Sequence, residues 1–481
     1  MRKKFLSKLL SVIVLFCLLL NGCGDISDGE SGSSGSQQEI SGTDASQQDI
    51  LVSGSSRMPA YDIVPTLSPA MQTANDALDA SAENVITLGV MTRYNNEILE
   101  MAARFNEEQS QYKVKLVQYG YDSFIINIMR GQGPDIFSLS DLPVDVLAKK
   151  DILEDLAPYF AASDVVHQEN IVDAVWKAGT NGGKMTRLIP SFAFEGIIVE
   201  KGHTNNGGWT VSDYLALAEK YPEGMINQDI ADPINLFLND LRAVSELYID
   251  WEAETCSFDS ANFIDFLGKM KKNSKKTYNI NSSGTPAERL YKREYLTLRT
   301  QLYTHDNLSV YLQLKTLLGD EFELAGYPGA NDDPYYCMIY KYALGMNSFS
   351  VKKEGAWAFF EYLLSEPIQE EYAKGEFPAR LDVLNHTLQD AIDFDPNKSN
   401  INCYNSYTQE MEEARPAFTD DDRRAVLEML DHVKCPDVMN SGDIKYIILD
   451  ELKLFFNGSK TAEDTAALIQ NRVQLYLDEL K

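Results

Sequence analysis

Residues 85–156 constrain the fold most. "VITLGVM" (85–91) is a β-rich apolar run. "NNEILEMAARFNEEQ" follows, with Ile98, Ala102 and Phe105 on one helical face and Asn95 or Asn96 at the N-cap. "YKVKLVQ" then alternates like a strand, "GPDIFSL" (133–139) opens with a turn and runs into another, and "VDVLAKKDILEDL" has a helical period. Strand, helix, strand, helix at this spacing predicts βαβ units and a largely parallel sheet, an α/β fold. In open sheets of this kind a ligand sits beyond the carboxyl ends of the strands, so the residues just after each strand are the candidates.

The N-terminus has a different logic. Arg2, Lys3, Lys4 and Lys8 precede an apolar run over residues 9–20 broken only by Ser11. Twelve residues of helix rise about 18 Å, short of the roughly 30 Å hydrocarbon core of a bilayer. A basic head, a short apolar centre and a small-residue boundary predict a secretory signal over residues 1–22. The boundary Leu20-Asn21-Gly22-Cys23 resembles the lipobox of bacterial lipoproteins. That resemblance implies cleavage before Cys23, acylation of its sulfur and anchoring on the extracytoplasmic face of the cell membrane, since each buried CH₂ contributes about 0.8 kcal/mol. Residues 24–84, opening "GDISDGESGSSGSQQEISGTDASQQ", are too poor in large apolar residues to offset chain entropy and are expected to form a disordered tether. A turn or two of helix in "AMQTANDALDA" is compatible with that reading. With about 60 residues, such a tether reaches roughly 40–45 Å.

Removing the four basic residues of the signal takes the formal charge from −29 to −33. Nucleic acid needs a basic footprint and is excluded as a partner. Cys256, Cys337, Cys403 and Cys435 are too sparse for a disulfide scaffold, and three pairings stay open. The roughly 400 residues after the tether exceed one compact core, so two lobes are expected.

Several motifs fail on inspection. "NGGKMT" (181–186) lacks the P-loop glycine at Ala178 and the Ser or Thr at Met185, leaving a surface turn. "DFDPNKSN" (393–400) begins like a calcium loop, but Lys398 and Tyr404 stand where Gly and Glu belong. "TDDDRR" (419–424) reads as acids at a helix N-terminus. The five histidines show no metal-ligand spacing, no catalytic signature occurs, and no cofactor is implied.

Across residues 85–481 the chain resembles family 1 extracellular solute-binding proteins, the receptor class of bacterial ABC importers. The resemblance rests on pieces in the family's order: "GPDIFSL" with "LAKKDILEDLAPYF", then "GGKMTRLIPSFAFEGIIVEKG", "WTVSDYLALAEKYP", "FELAGYPG", "YALGMNSFSVKKEGAWAFFEYLLSEPIQEEYAKGEFPARLDVL" and "FFNGSKTAEDTAALIQNRVQLYLDEL". It implies a two-lobed, type II periplasmic-binding-protein-like fold with a hinged interlobe cleft. The first lobe would hold 85–195 plus 328–372, the second 196–327 plus 373–481. It also implies a non-enzymatic receptor for a small solute, most naturally a sugar, with permease subunits and a separate ATPase as partners. Same-fold sensing and surface hydrolysis are the rival readings.

Sugars present flat C–H faces and a rim of hydroxyls, which call for aromatic bodies, amides and carboxylates. Among post-strand and crossing positions this selects Tyr94, Asn95, Asp141, Phe192, Phe194, Glu195, Asp229, Tyr303, His305, Tyr327 and Tyr335. Trp209 and Trp357 fall at helix starts or in helices and are expected to pack, and Arg380 is expected to be a structural anchor. An aromatic–Asn–Lys triplet usual in the family is replaced by Val199-Glu200-Lys201.

Overall fold

The computed structural model describes residues 68–91, 96–119, 130–139, 144–221, 233–241, 247–251, 253–274, 286–304, 321–394, 403–405, 410–412, 417–435 and 442–479, with a few single positions between them. Its strands are β1 (Val85–Met91), β2 (Lys113–Tyr119), β3 (Ile136–Ser138), β4 (Thr180–Asn181), β5 (Lys184–Met185), β6 (Ser191–Glu200), β7 (Ile249–Asp250), β8 (Thr255–Cys256), β9 (Thr297–Leu302), β10 (Phe322–Ala325), β11 (Tyr336–Ile339), β12 (Leu344–Met346), β13 (Phe377–Pro378), β14 (Cys403–Asn405), β15 (Glu410–Glu412) and β16 (Val433–Lys434).

Two sheets organise the chain. In the first, in the order β12-β3-β1-β2, β1 runs parallel to β2 and β3, as the alternation of strand and helix requires, while β12 closes one side antiparallel. The helix Asn96–Glu108 buries Ile98, Ala102 and Phe105 against this sheet. Gly89 is needed where it stands, because a Cβ there would lie 2.4 Å from Pro134 Cγ. That close approach seats the Pro-Asp turn, and Asp135 locks it by accepting from Thr87 N–H and Oγ1, both at 2.8 Å.

The second sheet is built around β6. Strand β9 pairs along one side of it, β10 and β11 pair with successive parts of the other, β13 pairs with its first residues, and β16 extends β11. Its two faces serve different cores. Phe192 and Phe194 belong to a cluster containing Leu88, Phe137, Leu344 and Phe360, whereas Ile197 and Val199, on the other face, belong to a second cluster with Trp209, Tyr214, Phe237, Phe263 and Ile448. Strand β11 alternates in the same way, Tyr336 and Met338 against Tyr335 and Cys337, so this sheet lies between the two cores.

The structure departs from the sequence expectations in two places. The helix expected over residues 144–156 stops at Lys149. Asp151 turns left-handed at φ 52°, Ile152 N–H bonds Leu147 O and Asp151 N–H bonds Ala148 O, a Schellman ending that frees Leu153 to bridge Asn347. The expected tether ends earlier than residue 84, because the helix Pro69–Asp76 docks on β2 through Asn75. Phe377, Leu384, Leu388, Phe418, Val426 and Leu430 pack with the first cluster, and only the helices Gly442–Phe456 and Ala462–Glu479 close the second.

Other readings hold. The "NGGKMT" turn is the β4–β5 hairpin, with Gly182 and Gly183 both at positive φ as a two-residue connection demands. Thr419 caps the helix Asp420–Asp431 in a capping box with Asp422. Residues 395–400, from the rejected calcium loop, lie outside the described residues. Cys256, Cys337 and Cys435 are thiols. Among the described residues no helix is long and apolar enough to cross a membrane.

Candidate functional site at the crossing between the cores

Glu195 stands on the face of β6 that carries Ile197 and Val199, and it is only 3% exposed. A carboxylate there needs donors. The side-chain amide of Gln301, on β9, donates to Oε1, and the Tyr327 hydroxyl donates to Oε2 at 2.9 Å. Tyr303 in turn donates its hydroxyl to Gln301 Oε1. The sheet register sets this up by pairing Glu195 with Gln301 across β6 and β9. Burial, and then the nearby Glu195 and Glu376 carboxylates, push the Tyr303 hydroxyl up to about 12, so it stays a neutral donor.

A second set of polar groups adjoins the first. Glu376 receives the Ser191 hydroxyl at 2.6 Å on Oε2 and the Lys341 ammonium at 3.1 Å on Oε1. Its backbone carbonyl accepts from Thr304 Oγ1 at 2.7 Å. Lys341 also reaches Glu97 Oε2 at 2.8 Å. Ser191 opens β6, Thr304 follows β9, Lys341 links β11 to β12 and Glu376 precedes β13, so one cluster ties together every described passage between the sheets. Burial pushes the Glu97 carboxyl above its ordinary range although Lys341 pulls the other way. Burial would lower the Lys341 ammonium, but its two carboxylates outweigh that and raise it.

The sequence candidates fall into three groups. Glu195, Tyr303 and Tyr327 are brought together, with Gln301 as the link. Phe192 and Phe194 are fully buried, packed on Phe377 at ring distances of 5.6 and 5.3 Å, so they floor the crossing rather than face it. Tyr335 is buried in the second core with the Lys434 ammonium 5.3 Å from its ring. Cys23, Tyr94, Asn95, Asp141, Asp229 and His305 lie outside the described residues.

Sequence reading missed Gln301, Lys341, Glu97 and Glu376. Gln301 lies two residues before Tyr303, and its pairing with Glu195 was the missing signal. Trp209 packs as expected, donating Nε1 to Gly326 O at 2.8 Å, and Trp357 packs among Tyr159, Phe160 and Phe360. Arg380 is the expected anchor: Nε meets Asp382 at 2.9 Å, and its N–H donates to Gln369 at 3.0 Å. No group of three His, Cys, Asp or Glu side chains among the described residues could hold a metal ion.

Comparison with known proteins now fits this geometry. The sugar-binding protein MalE from Xanthomonas citri superposes with a TM-score of 0.52 at 15% identity, covering 82% of this chain and 98% of that one. That similarity identifies the fold as the two-lobed, type II α/β architecture of periplasmic binding proteins. A Listeria monocytogenes ABC substrate-binding protein in complex with cycloalternan gives 17% identity and a TM-score of 0.49, covering 82% and 99%. An ABC transporter solute-binding protein from Thermotoga lettingae, bound with α-D-tagatose, gives 15% and 0.48, covering 82% and 100%. No curated protein sequence matches the chain. The sequence profile of the bacterial extracellular solute-binding proteins matches residues 100–397, well over half of the chain. The protein belongs to this family of extracytoplasmic binding proteins, which are receptors and not enzymes.

Proposed function

We propose that the protein is a lipid-anchored receptor of an ABC importer, which closes on a sugar or oligosaccharide and delivers it to a permease served by a separate ATPase. The observation that carries this reading is the joined set Glu195, Gln301, Tyr303 and Tyr327 on the central strand of the sheet that lies between the two cores. Gln301 and Tyr303, the half-buried members, offer an amide and a phenol to a rim of hydroxyls, while the buried Glu195 and Tyr327 hold the amide in place from behind. The fold shared with a sugar-binding protein supports the same cargo. A solute touching both lobes makes contacts in the closed state that the open state lacks, so it shifts the hinge towards closure. The lobes of this reading are 85–195 plus 328–372 and 196–327 plus 373–481, and Tyr94, Asn95, Asp141, Asp229 and His305 complete its contact set. The lipobox at Cys23 supplies the anchor.

The test is a thermal-shift screen of the protein against sugars, oligosaccharides and peptides, followed by solution scattering with each hit. A solute at about 100 times its dissociation constant adds roughly 2.7 kcal/mol, a readily visible shift. A hit that contracts the envelope is expected. Hits confined to peptides would replace the cargo, and an unchanged envelope would remove the closure mechanism.

A further inference from the structure

Among the described residues, strand β2 is the outermost strand of the first sheet, with β1 as its neighbour on one side only. Lys113 donates its N–H to Asn84 O at 2.8 Å on the β1 side, so the backbone groups of residues 114 and 116 face the other way. Each meets a side-chain amide. Val114 donates to Asn106 Oδ1 at 2.7 Å and accepts from Asn106 Nδ2 at 2.8 Å. Leu116 donates to Asn75 Oδ1 at 2.7 Å and accepts from Asn75 Nδ2 at 3.0 Å. A primary amide used in this way offers the same donor and acceptor that a further strand would offer. Asn106 comes from the helix behind the sheet, whereas Asn75 comes from the helix Pro69–Asp76, ahead of β1.

The rest of that leading segment is fastened as well. Lys115 Nζ donates to Leu78 O, and Lys352 Nζ is shared by Ala80 O at 2.7 Å, Ala82 O at 2.9 Å and Val85 O at 2.7 Å. Met71, Asn75 and Leu78 are half-buried at helical spacing, while the helix itself buries no residue fully. Directed polar contacts hold this segment, and the core does not.

We propose that residues 68–84 form a strap that takes the place of a fifth strand at the open edge of the first sheet. Residue 68 is thereby held at the edge of that sheet. One consequence rests on the lipid-anchored reading: a membrane tether would grip the first lobe and leave the second unhindered during closure.

The test is hydrogen exchange on the full chain. Asn75→Ala should speed exchange of the Leu116 amide at least tenfold and leave the Val114 amide, held by Asn106, unchanged. Asn106→Ala should do the reverse. Lys352→Met should hasten proteolytic cleavage within residues 77–84 several-fold. Unchanged exchange at Leu116 in Asn75→Ala overturns the strap, and so does equal loss at Val114 and Leu116, which would be general loosening. None of these readouts uses a solute, so a failed ligand screen leaves the strap standing.

Discussion

Glu195, Tyr327 and Gln301 set the terms at the scale of single residues. A carboxyl group at 3% exposure has lost its hydration, a cost that only good donors offset. Tyr327→Phe removes the phenol that reaches Oε2 and keeps the ring volume. It is expected to lower stability by about 1–3 kcal/mol, the range for a hydrogen bond to a charged group, with the urea midpoint as the measurement. An unchanged midpoint would mean that Glu195 does not depend on Tyr327. Glu195, Tyr303 and Tyr327 could be picked from the sequence because they follow strands or lie on the crossing segment. Glu97 and Glu376 could not, since among 72 acidic residues nothing local marks them.

Elements were the most legible scale. Apolar spacing gave β1 and the helix Asn96–Glu108 nearly residue by residue, and Thr210 caps the helix Val211–Lys220 in a capping box with Asp213. The helix after β3 was read too long, because Asp151 carries no sequence signal for the left-handed turn that Leu153 needs to reach Asn347. At this scale Glu451 staples the two C-terminal helices: it lies on Gly442–Phe456, bonds Lys460 and accepts from Arg472, on Ala462–Glu479, at 2.8 Å. Burial pushes its carboxyl up, but Lys460 and Arg472 outweigh that and hold it below its ordinary value of 4.5. The unfolded chain therefore takes up this proton first as pH falls. The stabilisation is present above the ordinary glutamate range and lost as pH drops through the folded value. Glu451→Gln should cost about 1–3 kcal/mol at pH 7, with the deficit shrinking below about pH 4. Urea titrations from pH 7 to pH 3 measure it, and a deficit constant with pH would contradict the ion pair.

For the whole molecule the two cores matter more than the order of the chain. Residues 377–433 follow β6 in sequence yet supply Phe377, Leu384, Phe418 and Val426 to the first core. The anchor belongs to this scale too. Cys23→Ser should abolish acylation and either release the protein into the medium or leave residues 1–22 attached. Fractionation and mass spectrometry decide it, and a variant that is cleaved normally yet stays on the membrane would refute the lipobox reading.

The sequence by itself determined the βαβ alternation, the caps, the acidic surface and the family resemblance, because each rests on contacts a few residues apart or on composition. Tertiary structure alone decided that Glu195 meets Gln301 and Tyr327, 106 and 132 residues away, and that Asn75 closes a sheet edge 41 residues ahead of it. Such pairings follow from strand register and from how two cores share one long strand. Shifting that register by a single residue would turn Glu195 to the opposite face of β6, and no local pattern records the choice.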